Sequence, residues 1–183
     1  MKSSVKALTL VETLIVLALI AIITQVGLPS LAKFSSKIES RQHIMQLKQA
    51  ISYTRIRAIT HESRTSFCPL GDNASCGKDW NEELSIFTDL NNNRKLDINE
   101  EILRTIPAVS TEDIQRSFNN RVISFNSRGF AGFSSGSLSY CRTDIDSEVL
   151  IISRIGRVRR GTDKNGDGIP ETAGGKTIPC PSN

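Results

Sequence analysis

Residues Leu8 to Leu28, LTLVETLIVLALIAIITQVGL, form an apolar run at the start of the 183-residue chain, interrupted by a single charge, Glu12. A helix needs roughly 20 apolar residues to cross the hydrocarbon core of a bilayer, so the run is long enough to span one. A carboxylate inside such a segment costs on the order of 3 kcal/mol and calls for a partner or a use. Ahead of the run lies MKSSVKA, positively charged at Lys2 and Lys6. A secretory signal peptide has this outline, but the long run, Glu12 and the lack of an Ala-x-Ala site after it argue against one. A plain single-span anchor, oriented by Lys2 and Lys6, explains the length and leaves Glu12 an uncompensated penalty.

A third reading accounts for all three features. The leader followed by Leu8-Thr9-Leu10-Val11-Glu12 resembles the class III signal of type IV pilins and pseudopilins. The resemblance implies cleavage by a prepilin peptidase between Ala7 and Leu8, with Ala7 and Leu8 standing where the family usually has Gly and Phe. Glu12 falls on the family's glutamate at the fifth mature position, and Pro29 on its proline near the twenty-second. Cleavage creates a positive amine on Leu8, which the Glu12 carboxylate of a neighbouring subunit can neutralise in a low-dielectric filament core. The segment is then an inner-membrane anchor before assembly and a packing element afterwards.

Composition sets the remaining bounds. The length allows one domain beyond the anchor. The formal net charge of +4 falls to +2 when Lys2 and Lys6 leave with the leader, so overall charge does not argue for a nucleic-acid partner. Four cysteines behind a membrane-targeting segment point to an oxidising periplasm and two disulfides. No Cys-x-x-Cys pair suggests zinc. Of the three possible connectivities, neighbour pairing, Cys68 with Cys76 and Cys141 with Cys180, is the expectation.

Past Pro29, which is expected to kink the helix or limit its first segment, Leu31, Phe34 and Ile38 keep helical spacing. Ile44, Leu47, Ile51 and Ala58 then carry a second apolar stripe opposite a basic face. From Arg64 the period becomes that of strands: Thr65–Cys68, Leu84–Thr88, Glu101–Ile106, Arg121–Phe125, Leu138–Cys141 and Glu148–Arg154, separated by turn-forming residues. The fold class is therefore α+β, a long N-terminal helix packed on an antiparallel β-sheet domain with a C-terminal tail.

Phe67-Cys68-Pro69, Cys76, Trp80, Phe87-Thr88-Asp89, the Asn-rich turn into Leu96-Asp97 and Glu100, Val122-Ile123-Ser124-Phe125 with Arg128-Gly129, and Gly156-Arg157 stand in the order seen in the GspH/FimT branch of minor pilins. The resemblance covers essentially the whole chain and implies the type IV pilin-like fold. It gives a leader at 1–7, a transmembrane or filament-core helix at 8–30 and its amphipathic continuation at 31–60. A periplasmic β-rich domain follows at 61–183, with a basic C-terminal segment at 154–183.

Two turns carry metal-like spacing. Asp89, Asn91, Asn93, Asp97 and Glu100 occupy positions 1, 3, 5, 9 and 12 of an EF-hand-like loop, but Arg94 stands where that loop needs glycine. Asp163, Asn165, Asp167 and Gly168 make a second such pattern without a glutamate at the twelfth place. Ordinary turns use the same residues, so no metal and no cofactor is expected. His43 and His61, the only histidines, sit in no recognisable triad, and an enzyme is not expected.

The last informative stretch is Arg154-Ile155-Gly156-Arg157-Val158-Arg159-Arg160, with four arginines in seven residues. Alternation along an extended chain puts Arg157 and Arg159 on one side, about 7 Å apart, a spacing that suits successive phosphates of one strand. The plain alternative is an edge strand whose basic residues prevent edge-to-edge pairing. FimT-like proteins of natural transformation carry a Gly-Arg-x-Arg motif that binds DNA, and Gly156-Arg157-Val158-Arg159 is similar to it residue for residue. The resemblance implies a minor pilin that captures extracellular double-stranded DNA, with Arg157 and Arg159 on phosphates and Arg154, Arg160, Lys164 and Lys176 assisting. Its partners would be DNA, other major and minor pilins and the prepilin peptidase, in the inner membrane and then the pilus of a Gram-negative bacterium. Phe130 and Phe133, beside Arg128, could stack on bases, though a core or loop-anchor role is the simpler expectation. The alternative is a structural minor pilin, or a pseudopilin of type II secretion, whose partners are other pilins alone.

Overall fold

The computed structural model describes residues 9–110, 114–142 and 145–177, without the side chains of 26–30, 32–33 and 145–146. Two compact units divide the chain, residues 1–39 and 40–183. One helix, α1 (Leu10–Thr60), contributes to both. Its start is capped by a threonine: the Glu12 N–H donates to Thr9 Oγ1 at 3.3 Å, which satisfies an orphan donor of the first turn. Helical structure carries through residue 29, as expected of a helix that does not stop at Pro29 and runs from Leu8 to about Thr60. A proline removes a single backbone donor, and the flanking turns keep theirs. Among the described residues no helix is long and apolar enough to cross a membrane. The span expected at 8–30 lies partly outside them, as do Ala7 and Leu8.

In the second unit the chain forms β1 (Thr65–Pro69), β2 (Leu84–Thr88), β3 (Ile102–Ile106), β4 (Ile114–Phe118), β5 (Ile123–Phe125), β6 (Gly136–Arg142), β7 (Ile145–Ile152) and β8 (Val158–Arg160). A 3-10 turn, η1 (Gly132–Ser134), precedes β6. Two four-stranded sheets result, ordered β3-β2-β1-β5 and β4-β6-β7-β8, and every pairing is antiparallel. The antiparallel domain expected from the strand pattern is thus two sheets. Strand β4, which that pattern did not predict, forms one edge of the second, where the Arg116 N–H donates to Asn81 Oδ1 at 2.7 Å.

The helical stripe Ile44, Leu47, Ala50, Ile51 and Ala58 closes one core with residues of both sheets: Phe67, Leu84, Ile86, Ile123 and Phe125 from the first, Leu138, Tyr140, Leu150 and Ile152 from the second. Each large side chain buried there contributes about 1.5–3 kcal/mol. On the far face of the first sheet the Cys68–Cys76 disulfide, Phe87 and Val122 form a smaller cluster. Cys141 is likewise disulfide-bonded; its expected partner, Cys180, lies outside the described residues. The tail past β8 folds back on the second sheet. The Ala173 N–H donates to Ser137 Oγ at 3.1 Å, and Gly161 lies against Val149 and Pro170.

One buried cation ties the sheets together. Arg116 of β4 is 3% exposed and donates through Nη2 to the carbonyls of Asn81, Glu82 and Pro107, at 3.0, 2.9 and 3.3 Å. Those carbonyls flank β2 and β3 of the other sheet. Burial lowers its pKa to about 10, leaving it charged at neutral pH. Removing a buried charged donor that three carbonyls share costs several kcal/mol. Arg116→Ala is therefore expected to destabilise the protein by about 3 kcal/mol in urea unfolding, whereas Arg104→Ala, which loses a cation–π contact to Tyr53, costs about 1 kcal/mol or less.

Candidate nucleic-acid interface

The arginine-rich segment begins in a five-residue turn, Ser153 to Arg157, that joins β7 to β8. Gly156 N–H donates to the Ser153 carbonyl and Ser153 N–H to the Arg157 carbonyl, both at 2.9 Å. Gly156 has φ +83°. This is a type I turn closed by a left-handed residue, the form that three-residue hairpin loops favour. The Ser153 hydroxyl accepts the Arg157 N–H at 3.0 Å.

Residues Asn126 to Phe130 repeat the construction. Gly129 N–H donates to the Asn126 carbonyl at 2.8 Å, Asn126 N–H to the Phe130 carbonyl at 3.1 Å, and Gly129 has φ +76°. Asn126 Oδ1 accepts the Phe130 N–H, as Ser153 Oγ accepts that of Arg157. The two turns meet glycine to glycine: a Cβ on Gly156 would stand 2.1 Å from the Gly129 carbonyl oxygen. Arg55 of α1 holds both, with Nε donating to Gly129 O at 3.0 Å and Nη2 to Ile155 O at 3.4 Å.

Arg128, Arg154, Arg157 and Arg159 are thereby presented exposed on one scaffold, and none forms an ion pair among the described residues. Val158 packs on the core between Arg157 and Arg159. Arg160, one residue on, stands opposite core-facing Leu150, lies 4.0 Å from the Glu148 carboxylate and lines a groove with Lys48 and Tyr53 of α1. The structure thus separates Arg160 from Arg157 and Arg159. Lys164 and Lys176 are exposed in the tail, and their side chains form no hydrogen bond or ion pair with the two turns among the described residues. Arg128 is the residue the sequence reading did not group with the arginine segment, although the shared polar-x-x-Gly pattern of Asn126–Gly129 and Ser153–Gly156 marks the matching turns.

Elsewhere the expected residues have local duties. Glu12 is exposed in the first turn of α1, and its backbone N–H is capped by Thr9 Oγ1. His43 stacks on Tyr140 with ring centroids 5.9 Å apart. In the 89–100 turn the amide groups of Asn91 and Asn93 donate to Asp97 Oδ2 at 2.8 and 2.7 Å, holding that carboxyl below its ordinary range. Asp89 is fully buried and its Oδ2 accepts the Ser66 hydroxyl of β1 at 2.7 Å. In the second loop Asp163 accepts the N–H groups of Gly166 and Gly168. Among the described residues no group of three or more His, Cys, Asp or Glu could hold a metal.

A family model described as Type II transport protein GspH matches residues 43–156. Two crystal structures of the type IV minor pilin FimU from Pseudomonas aeruginosa strain PAO1 share the fold. One aligns with a TM-score of 0.53 and 22% identity over 69% of this chain and 90% of that one. The other, from a second crystal form, aligns with a TM-score of 0.50 and 21% identity over 67% and 92%. No curated protein sequence matches the chain.

Gly156→Ala must accommodate both a left-handed backbone and the Gly129 carbonyl. It is expected to cost about 2 kcal/mol and lower the thermal midpoint by several degrees. Gly174→Ala, whose Cβ would meet open space, is expected to leave the midpoint within about one degree.

Proposed function

The chain belongs to the GspH family, and from that premise we propose that it is a minor pilin that binds extracellular double-stranded DNA without sequence preference for uptake. Family and fold make it a pilin-type structural subunit of an envelope-associated assembly, with other pilins as partners, and not an enzyme. The finer reading rests on one observation. Arg157 and Arg159 are exposed without ion pairs, on a hairpin that Gly156, Gly129 and Arg55 hold rigid, with Arg128 and Arg154 on the abutting turns. An array of guanidiniums without ion pairs on a fixed backbone suits phosphate contacts, which position a duplex and read no sequence.

In this proposal Arg157 and Arg159 are the principal phosphate contacts, and Arg154 and Arg128 support them. Arg160, Lys164 and Lys176 act only through the wider field. Prepilin peptidase cuts between Ala7 and Leu8, and Glu12 serves assembly with the new amine of a neighbouring subunit. The protein then sits in the inner membrane with its β-rich domain in the periplasm, before entering a pilus.

A structural subunit without DNA binding is the second reading. The position of β8 at the edge of its sheet favours it, since basic residues there prevent pairing with another chain. A titration of the full chain in detergent micelles with a labelled blunt duplex separates the two. Binding that weakens with salt is expected, with a log–log slope that becomes shallower by about two in Arg157→Ala/Arg159→Ala. No binding by the unaltered protein at low salt would leave the structural reading.

A further inference from the structure

The 3-10 turn η1 is bonded directly to the arginine hairpin: the N–H groups of Ala131 and Gly132 both donate to the Arg154 carbonyl at 3.0 Å. On its other side Asn120 Nδ2 donates to the carbonyls of Phe133 and Ser135, at 3.4 and 3.0 Å. The turn is thus pinned from both sides, yet the Phe133 ring it carries is 95% exposed and belongs to no core cluster. A phenylalanine held almost wholly in water on a fixed backbone gains nothing for the fold.

Beside it opens a cleft of about 660 Å³, lined by Lys78, Arg94 and Arg121 together with Phe118, Asn119 and Phe133. That volume lies inside the range of about 300–1,000 Å³ usual for ligand sites. The three cations come from three separate segments: Lys78 from the stretch just past Cys76 of the Cys68–Cys76 disulfide, Arg94 from the 89–100 turn and Arg121 from the approach to β5. Arg94 has φ +62°, and its carbonyl accepts the Cys76 N–H at 2.9 Å, so the first two segments are fastened to each other. Among the described residues no acidic side chain lines the cleft, and Lys78, Arg94 and Arg121 form no ion pair. The apolar part of the lining is firm, because Phe118 packs edge-on to buried Trp80 with centroids 5.0 Å apart.

We propose that this cleft binds single-stranded DNA, with Phe133 as a stacking platform for an unpaired base and Lys78, Arg94 and Arg121 as its phosphate partners. The inference rests on the reading of the chain as a nucleic-acid binder, and it adds a second, strand-selective site next to the arginine hairpin. Aromatic faces interleaved with free cations are what unpaired strands need. A duplex keeps its bases stacked internally and offers only phosphates and groove edges. Because η1 hangs on the Arg154 carbonyl, the turn that carries Phe133 and the arginine hairpin share one backbone support.

The test uses the full chain in detergent micelles, with fluorescence anisotropy of a labelled oligothymidine and of a blunt hairpin duplex. Phe133→Ala is expected to weaken oligothymidine binding at least fivefold, as loss of one stacked base does, and to leave duplex binding unchanged. Phe133→Trp retains it, and Lys78→Ala/Arg121→Ala weakens it with a shallower salt slope. Oligothymidine binding unchanged in both Phe133→Ala and Lys78→Ala/Arg121→Ala would overturn the proposal. Displacement of oligothymidine by a polyglutamate peptide of equal charge as readily as by unlabelled oligothymidine would overturn it too, leaving a site for anions in general. Binding of oligothymidine through Phe133 with no binding of the duplex would uphold this cleft and remove the duplex role of Arg157 and Arg159. Duplex binding that needs those arginines, with oligothymidine indifferent to Phe133, would do the reverse.

Discussion

A single stripe of the helix, Ile44, Leu47, Ile51 and Ala58, is the shared wall of both sheets, and the domain has no other way to dry its interior. Neither four-stranded sheet covers its own apolar face, and the stripe brings the two faces into one cluster. Placement follows from it. Arg55 lies one turn beyond Ile51 on the same helix, so the packing that seats the stripe also delivers its guanidinium to the carbonyls of Gly129 and Ile155. The candidate interface is in this sense a by-product of core formation, built on a helix already fixed by hydrophobic burial.

Arg116 solves a different problem. Two sheets that share one helical wall could still slide past each other, and apolar contacts carry little direction. A guanidinium donating to three carbonyls that flank β2 and β3 of the opposite sheet supplies direction, at the cost of burying a charge. Its strand shows how far the sequence could be read. Strands β1, β2, β5, β6 and β7 announce themselves through β-branched and aromatic residues, and the helical stripe through its spacing. Strand β4, Ile-Gln-Arg-Ser-Phe, hides because its central inward position is an arginine, which any hydrophobic pattern scores as solvent-facing.

The interface was legible in part for a similar reason. Alternation alone puts Arg157 and Arg159 on one side of Val158, and the chain does so. Arg160 carries the same charge in the same run, yet it faces the helix side and Glu148, a fact of sheet register that composition does not encode. The abutment of the Asn126 and Ser153 turns was hidden too. It joins segments far apart in sequence through the absence of a side chain, and an absence leaves no periodic trace. Phe133 shows the converse. An aromatic residue in a chain of modest aromatic content reads as core until its surroundings are seen.

The close approach at Gly156 also divides the Gly-Arg-x-Arg run into parts of unequal meaning. The glycine is required by the turn and by the carbonyl of Gly129, whatever the protein touches. Any relative built with the same pair of turns needs it there, so its presence says only that the hairpin is intact. The fold uses the backbone of Arg157 and asks nothing of its guanidinium, and Arg159 donates only to the neighbouring Arg160 carbonyl, at 3.5 Å. Whatever information about partners the run contains therefore resides in its arginines. A comparison that weighs all four letters alike counts a folding requirement as evidence of function.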